Sequence, residues 1–407
     1  MNYSDRRVVI TGCGISSALG NTSQDLFHRL SENQSAVKRM ENWDTPLLAA
    51  PVELTDTEIK SMPRGVRRSM GRLALMSALA AKRASDDAFL TEDELTCGRT
   101  GCVAGSTMGS SETMEESFRI LLSGNGMSDI SPMAFFKSAS HTASFNAANY
   151  LNITGYVYSP AAACASGMQS VGIGDNLIRS GMQDVVLCGG ADEVTRVVSG
   201  CFELMEAHAP DCADPATAPR PFERNRKGLV CGEGAAFVVL EEYEHAKKRG
   251  AKIYGEIFGY STCRCPNQVS QSDHRSIYRC LQEVYKNANL PVSATDYISA
   301  HATSTLQGDQ AEAEALRNFF GDTVPLSSLK GHLGHTLGAS GVLEMIAALE
   351  MMNAGYLIPT RNLDEIAPEC VGLYHLQQGM EKEISVILKN CFAFGGINTT
   401  LLFGKLK

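Results

Sequence analysis

The chain has 407 residues, 44% hydrophobic and 20% charged, with a formal net charge of −9 at pH 7 and thirteen cysteines. That length buries a large core and has room for two domains or one large duplicated unit. The acidic balance argues against a nucleic-acid surface, which needs a basic field. No apolar run approaches the roughly 20 residues that span a bilayer. The N-terminal stretch passes from Arg6-Arg7 into Val8-Val-Ile-Thr-Gly with no secretory leader, so a cytoplasmic location is expected. An odd cysteine count in so long a chain is not a disulfide framework. The tightest pair, Cys263-Arg-Cys265, lacks a second pair at zinc-site spacing, so no metal is expected. Cys188, Cys201, Cys231 and Cys391 sit among Gly or apolar residues and read as core thiols.

In chain order, residues 8–12 read as a strand and residues 69–84 carry Ala, Leu and Met at helical spacing. Just before and into that helix, Arg64, Arg67, Arg68 and Arg72 fall with no acidic residue between them. If the segment is helical, they occupy neighbouring parts of one face. Residues 99–105 read as a buried strand ending in a Gly/Ser-rich turn to residue 111, and residues 184–190 repeat the pattern after a helix over 166–180. Residues 207–227 are rich in Pro, Asp and Arg and read as loop; 232–241 return to strand, and 242–249 form a charged helix closed by Gly250. The second half offers a strand over 297–300, a helix from near Asp309, a glycine-rich segment over 329–341, and a terminal strand pair, 384–390 and 399–403. Strand, glycine turn and helix recur, which predicts an α/β protein with two similarly built halves, 1–250 and 251–407.

Three segments carry the chemistry. Cys164, in Ala161-Ala-Ala-Cys-Ala-Ser-Gly-Met-Gln-Ser170, stands where an apolar strand-like stretch is expected to turn into a helix. Free backbone N–H groups and the positive helix end favour a thiolate there. His301 opens His-Ala-Thr-Ser-Thr305 at a strand's C-terminal end, where open α/β sheets place their crevices. His335 lies in Ser328-Leu-Lys-Gly-His-Leu-Gly-His-Thr-Leu-Gly-Ala-Ser-Gly341, whose small residues let backbone and a long ligand approach. Each has an ordinary reading on its own: a buried small thiol, a structural histidine, a capped helix with packing glycines.

Together, Cys164, His301, Lys330 and His335 match the active-site pattern of the condensing enzymes. Over nearly its whole length the chain resembles the elongating 3-oxoacyl-acyl-carrier-protein synthases of type II fatty-acid synthesis. The likeness includes Arg220-Pro-Phe-Glu-Arg-Asn-Arg-Lys-Gly228, Gly232-Glu-Gly-Ala235, Leu240 to Tyr254 and Asn390-Cys-Phe-Ala-Phe-Gly-Gly-Ile-Asn398. The resemblance implies the thiolase fold, a duplicated α-β-α-β-α stack, with the nucleophile in the first half and both histidines in the second. It implies acyl transfer from carrier-protein phosphopantetheine to Cys164, then condensation with a malonyl unit and loss of carbon dioxide. His301 and His335 would stabilise the enolate, Lys330 would order the site with Glu344 as its partner, and the N–H groups of Cys164 and Phe394 would form an oxyanion hole, Phe394 doubling as the gate. No tightly bound cofactor is implied.

Met108, Phe135 and Phe136 fall where the family builds its acyl pocket and dimer seam, and the arginines at 64, 67, 68 and 72 become docking candidates for an acidic acyl carrier protein. The assembly implied is a homodimer, or a heterodimer with a related chain-length-factor subunit. Several positions depart from the usual pattern: Ala302 and Ala393 replace glycines, Glu223 replaces aspartate, and Ala163 and Ala165 replace hydroxyl-bearing neighbours of the cysteine. These reshape supports around unchanged reactive atoms, so polyketide or aryl-polyene extension stands beside fatty-acid elongation. A biosynthetic thiolase, an acyltransferase and a non-elongating partner subunit are the competing readings.

Overall fold

The computed structural model describes residues 6–266 and 273–407. Its centre is one mixed eleven-stranded sheet. The first half contributes β1 (Val8–Ser17), β2 (Thr100–Gly105), β3 (Val157–Tyr158), β4 (Val185–Asp192) and β5 (Gly234–Glu242). The second contributes β6 (Gly255–Arg264), β7 (Tyr297–Ser299), β8 (Pro325–Ser327), β9 (Tyr374–His375), β10 (Val386–Ala393) and β11 (Ile397–Gly404). The spatial order is β9-β8-β7-β10-β11-β6-β1-β5-β4-β2-β3.

Duplication is written into that order. Moving outward from the seam between β1 and β6, each half pairs antiparallel, antiparallel, parallel, parallel, and the second half then adds β9 as one further parallel strand. Equivalent strands also follow one another in the same chain order, β1 to β5 matching β6, β7, β8, β10 and β11. The strands are apolar on both faces: every residue of β1 and β4 is buried, as expected of a sheet covered on both sides.

Helices supply the cover. Helices α1 (Arg72–Asp87) and α2 (Thr142–Tyr150) lie on strands of the first half. Helices α4 (His274–Ala288) and α5 (Leu306–Phe320) serve the second, α4 against β6 and β11. Between them, α3 (Ser166–Arg179) and α6 (Ser340–Ala354) touch each other and strands of both halves, giving the five-layer α/β order. Close approach is bought with glycine: a Cβ on Gly167 would meet the Gly338 carbonyl oxygen at 2.5 Å, and one on Gly174 would meet Cys188 Sγ at 2.1 Å.

The strand and helix expectations hold within a few residues, with instructive differences. Helix α6 is buried at every position from 340 to 352, so it carries no polar stripe and no helical period to read. The arginine segment does not form one helix. Arg64–Arg67 is a single turn begun at Pro63, and α1 starts separately after Gly71. Cys201 is exposed rather than a core thiol, because its helix, Arg196–Leu204, buries only Ser199 and Phe202.

Candidate active site

A cleft of about 470 Å³ opens where the two halves meet, and Cys164, His301 and His335 line it together with Phe202, Phe392 and Phe394. On the nucleophile side, β3 is only two residues long and an irregular stretch, not an apolar strand, leads to the sulfur. Ala163 takes a left-handed conformation, φ 47°, which costs a residue with a Cβ about 1–2 kcal/mol. The bend is held by Ser166, whose Oγ accepts from Ala162 N–H at 2.9 Å and donates to the Ala163 carbonyl at 2.7 Å. Cys164 follows on the short turn that feeds α3, and its carbonyl accepts from the Cys391 thiol at 3.1 Å. Burial pushes the Cys164 thiol well up, with Cys391 and Asp192 adding and Lys330 opposing. Burial thus works against the thiolate expected at the α3 N-terminus.

The histidine side is braced by backbone. The N–H groups of His301 and Ala302 donate to Glu312 at 2.9 and 2.7 Å, and Asn390 Nδ2 donates to the same carboxylate at 3.0 Å. The His335 N–H donates to the Val230 carbonyl at 2.7 Å while its own carbonyl accepts from Gly232 at 2.8 Å, tying it to the first half. The two imidazole centroids lie 5.3 Å apart with ring planes at 84°, and the Phe392 ring is 5.6 Å from His301. His301 Nδ1 and both His335 ring nitrogens are buried without a hydrogen-bond partner among the described residues. Such orphaned polar atoms are rare outside sites that await a ligand. Burial, then Lys330, drives both imidazoles well below the ordinary histidine range, with Lys389 adding in each case and His335 also acting on His301. Both rings are neutral.

Beneath them lies a buried ion cluster. Lys330 Nζ donates to Glu344 Oε1 at 2.6 Å, the pairing expected from sequence. Lys389 was missed: its Nζ donates to Glu344 Oε2 at 2.5 Å. A lysine inside the apolar run Val386-Ile-Leu-Lys-Asn-Cys-Phe was the available signal. Asp192 supports the opposite wall, accepting from Thr107 Oγ1 at 2.6 Å and Gly338 N–H at 2.7 Å, and burial pushes its carboxyl up to about 7. The longer Glu223 still does structural work, accepting from Arg220 Nε at 3.1 Å and Asn225 Nδ2 at 3.2 Å.

Phe394 begins the turn 394–396 between β10 and β11, where Gly395 and Gly396 have φ 89° and 76°. Its ring lies 5.7 Å from that of Phe202 over the cleft. Ala393 stays in the hairpin register opposite Ile397, so its methyl is accommodated.

The rim candidates fall elsewhere. Met108, Phe135 and Phe136 are exposed and do not line the reaction cleft; Phe135, 73% exposed, borders a separate apolar hollow of about 420 Å³ with Phe118, Leu121 and Met127. Arg64 and Arg68 are exposed and Arg67 is half-buried. Arg72 leaves the docking group altogether: its Nε lies 3.0 Å from both oxygens of buried Glu233, and Nη2 also bonds Glu233 and the Val52 carbonyl. It is a structural ion pair.

Family models and known relatives match the chain over most of its length. The beta-ketoacyl synthase N-terminal domain matches residues 5–246 and the C-terminal domain residues 254–364. The chain belongs to the beta-ketoacyl synthase family. A 3-oxoacyl-[acyl-carrier-protein] synthase 1 of Haemophilus influenzae is 34% identical over 98% of both chains. A beta-ketoacyl synthase structure from Burkholderia phymatum superposes with a TM-score of 0.94 at 38% identity, covering 99% of this chain and 100% of that one. The ishigamide ketosynthase/chain length factor superposes at 0.91 with 29% identity, covering 99% and 100%. This ketosynthase is thus an acyl-transferring condensing enzyme, and among its described residues no helix is long and apolar enough to cross a membrane.

Proposed function

We propose that this ketosynthase elongates an acyl chain by decarboxylative Claisen condensation through an acyl-Cys164 intermediate, with halves 1–250 and 251–407 supplying the nucleophile and the histidines. The observation that carries this reading is the shared cleft: one buried thiol and two neutral imidazoles with unpartnered nitrogens. In the first half-reaction the Cys164 sulfur attacks the carrier thioester, its proton leaves with the phosphopantetheine thiol, and the acyl group stays on sulfur. The N–H groups of Cys164 and Phe394 stabilise the tetrahedral oxyanion. In the second, the malonyl thioester loses carbon dioxide and the electron pair of the broken C–C bond becomes an enolate. Neutral imidazoles each carry one N–H, and His301 and His335 donate these to the enolate oxygen. The enolate carbon attacks the acyl carbonyl, and collapse expels the Cys164 thiolate, which regains a proton.

The acyl groups arrive on the phosphopantetheine of an acyl carrier protein. Arg64, Arg67 and Arg68 form the docking patch, steering an acidic partner to an enzyme whose total charge is also negative. A second copy, or a related chain-length-factor chain, covers the exposed edge strand β3 and the apolar surface around Met108, Phe135 and Phe136. The enzyme works in the cytoplasm. Saturated, unsaturated and aryl primers on carrier protein, each with malonyl carrier protein, test the reading by intact mass of the carrier product. A 3-oxoacyl product lengthened by two carbons is expected, and its primer preference separates fatty-acid from polyketide or aryl-polyene extension. Acyl transfer or hydrolysis without carbon dioxide release would refute condensation.

A further inference from the structure

Lys330 and Glu344 already balance each other, yet Glu344 holds a second lysine. Lys389 is fully buried in β10, and besides its 2.5 Å bond to Glu344 it lies 3.4 Å from the Ser299 carbonyl and 3.3 Å from that of Ala300. Those carbonyls immediately precede His301. A buried cluster of two cations and one anion is costly, and a lone Lys330–Glu344 pair would avoid that excess.

We propose that Lys389 is a positioning residue for the malonyl half-reaction: it fixes the strand end that carries His301 and leaves the cleft floor one uncompensated positive charge. The inference rests on the condensing function proposed above. Burial and Lys330 hold both imidazoles in the neutral form that donates to the enolate; the charge of Lys389 adds to that, and it favours the anions that form there. The charged groups acting on the two rings are Lys330 and Lys389, with His335 also acting on His301, and Cys164 lines the same cleft; Glu344 is paired with both lysines, and Glu312 is engaged by the backbone of His301 and Ala302. Of these, only the lysines supply positive charge. Lys389 is bonded to the strand end that precedes His301 and to Glu344, and among the described residues no hydrogen bond joins it to Cys164.

That asymmetry gives the test. Lys389→Met and Lys389→Arg are compared with wild type for Cys164 acylation by intact mass, carbon dioxide release from malonyl carrier protein against pH, and thermal unfolding. For Lys389→Met, carbon dioxide release falls about tenfold or more, its acid limb moves up by about one pH unit, and acylation stays within about threefold. Lys389→Arg restores the wild-type pH profile. An unchanged profile in Lys389→Met overturns the proposal. So does a parallel fall of both half-reactions with a lowered unfolding temperature and no recovery in Lys389→Arg. If wild type releases no carbon dioxide, the functional reading fails, and ¹⁵N NMR titration of the imidazoles still decides: no rise in their pKa on Lys389→Met overturns the charge role, and a rise supports it.

Discussion

The floor of the cleft and the apolar rim are built in opposite ways. On the floor, Lys330, Glu344, Lys389 and Glu312 are buried and bonded to one another or to backbone. Outside the cleft, Met108, Phe118 and Phe135 remain exposed, as do both residues of the edge strand β3, which has no outer partner among the described residues. The cleft floor is completed within one chain, whereas exposed apolar surface is of the kind that partner surfaces generally cover.

The sharpest way to break this contrast is Glu344→Ala. It leaves two buried lysines unpaired and should cost about 3–5 kcal/mol of stability by urea denaturation; a loss below about 1 kcal/mol would mean the floor is not a dry ion cluster. His301→Ala or His335→Ala should lower carbon dioxide release by about 10²–10³ while Cys164 still accepts an acyl group. Equal loss of both half-reactions would deny the histidines their separate role. The pH dependence follows from the same floor. An imidazole is neutral above its pKa, and both lie well below the usual value. Carbon dioxide release should therefore stay flat from pH 7.5 through about 6.5, the unperturbed histidine value, and fall only below it. An acid limb centred at 6.5 would contradict neutral, lysine-flanked rings.

At the rim, Phe135→Asp should weaken self-association or pairing by about 1–3 kcal/mol in sedimentation equilibrium, leaving the fold intact by circular dichroism. An unaltered association constant would remove Phe135 from the interface. The smallest effect belongs to docking. Arg67→Ala with Arg68→Ala should raise KM for the carrier protein a few-fold at low salt, with the difference shrinking near 1 M, where screening reaches about 3 Å. Salt-independent kinetics would relocate the docking patch.

What could be read from sequence divides along the same line. Cys164, His301 and His335 were legible because the reactive residues and enough of their motifs survive the changes at Ala163, Ala165 and Ala302, and β10 and β11 because apolar runs flank a Gly-Gly turn. Lys330 and Glu344 came as a pair. Lys389 did not, since a lysine in a strand reads as a solvent-facing residue until its neighbours are placed. Arg72 misled for the converse reason: Glu233, which captures it, is 161 residues away. Helix α6 has no polar face to mark its period. The Cys164 thiol shows the limit of local reasoning, for a helix N-terminus favours a thiolate while burial in the folded chain pushes the thiol up. Met108 and Phe135 were readable as apolar but not as outward-facing, because that depends on which surface lacks a neighbour.

The central claim is that one sulfur and two imidazoles, brought together from the two halves, perform successive steps on the same acyl group. Intact-mass analysis of the enzyme pulsed with acyl carrier protein and chased with malonyl carrier protein tests it directly. The account predicts an acyl adduct on Cys164 that disappears as carbon dioxide and a 3-oxoacyl carrier product form, with no adduct in Cys164→Ala. Product formation without any adduct, or an adduct that malonyl carrier protein does not discharge, would contradict it.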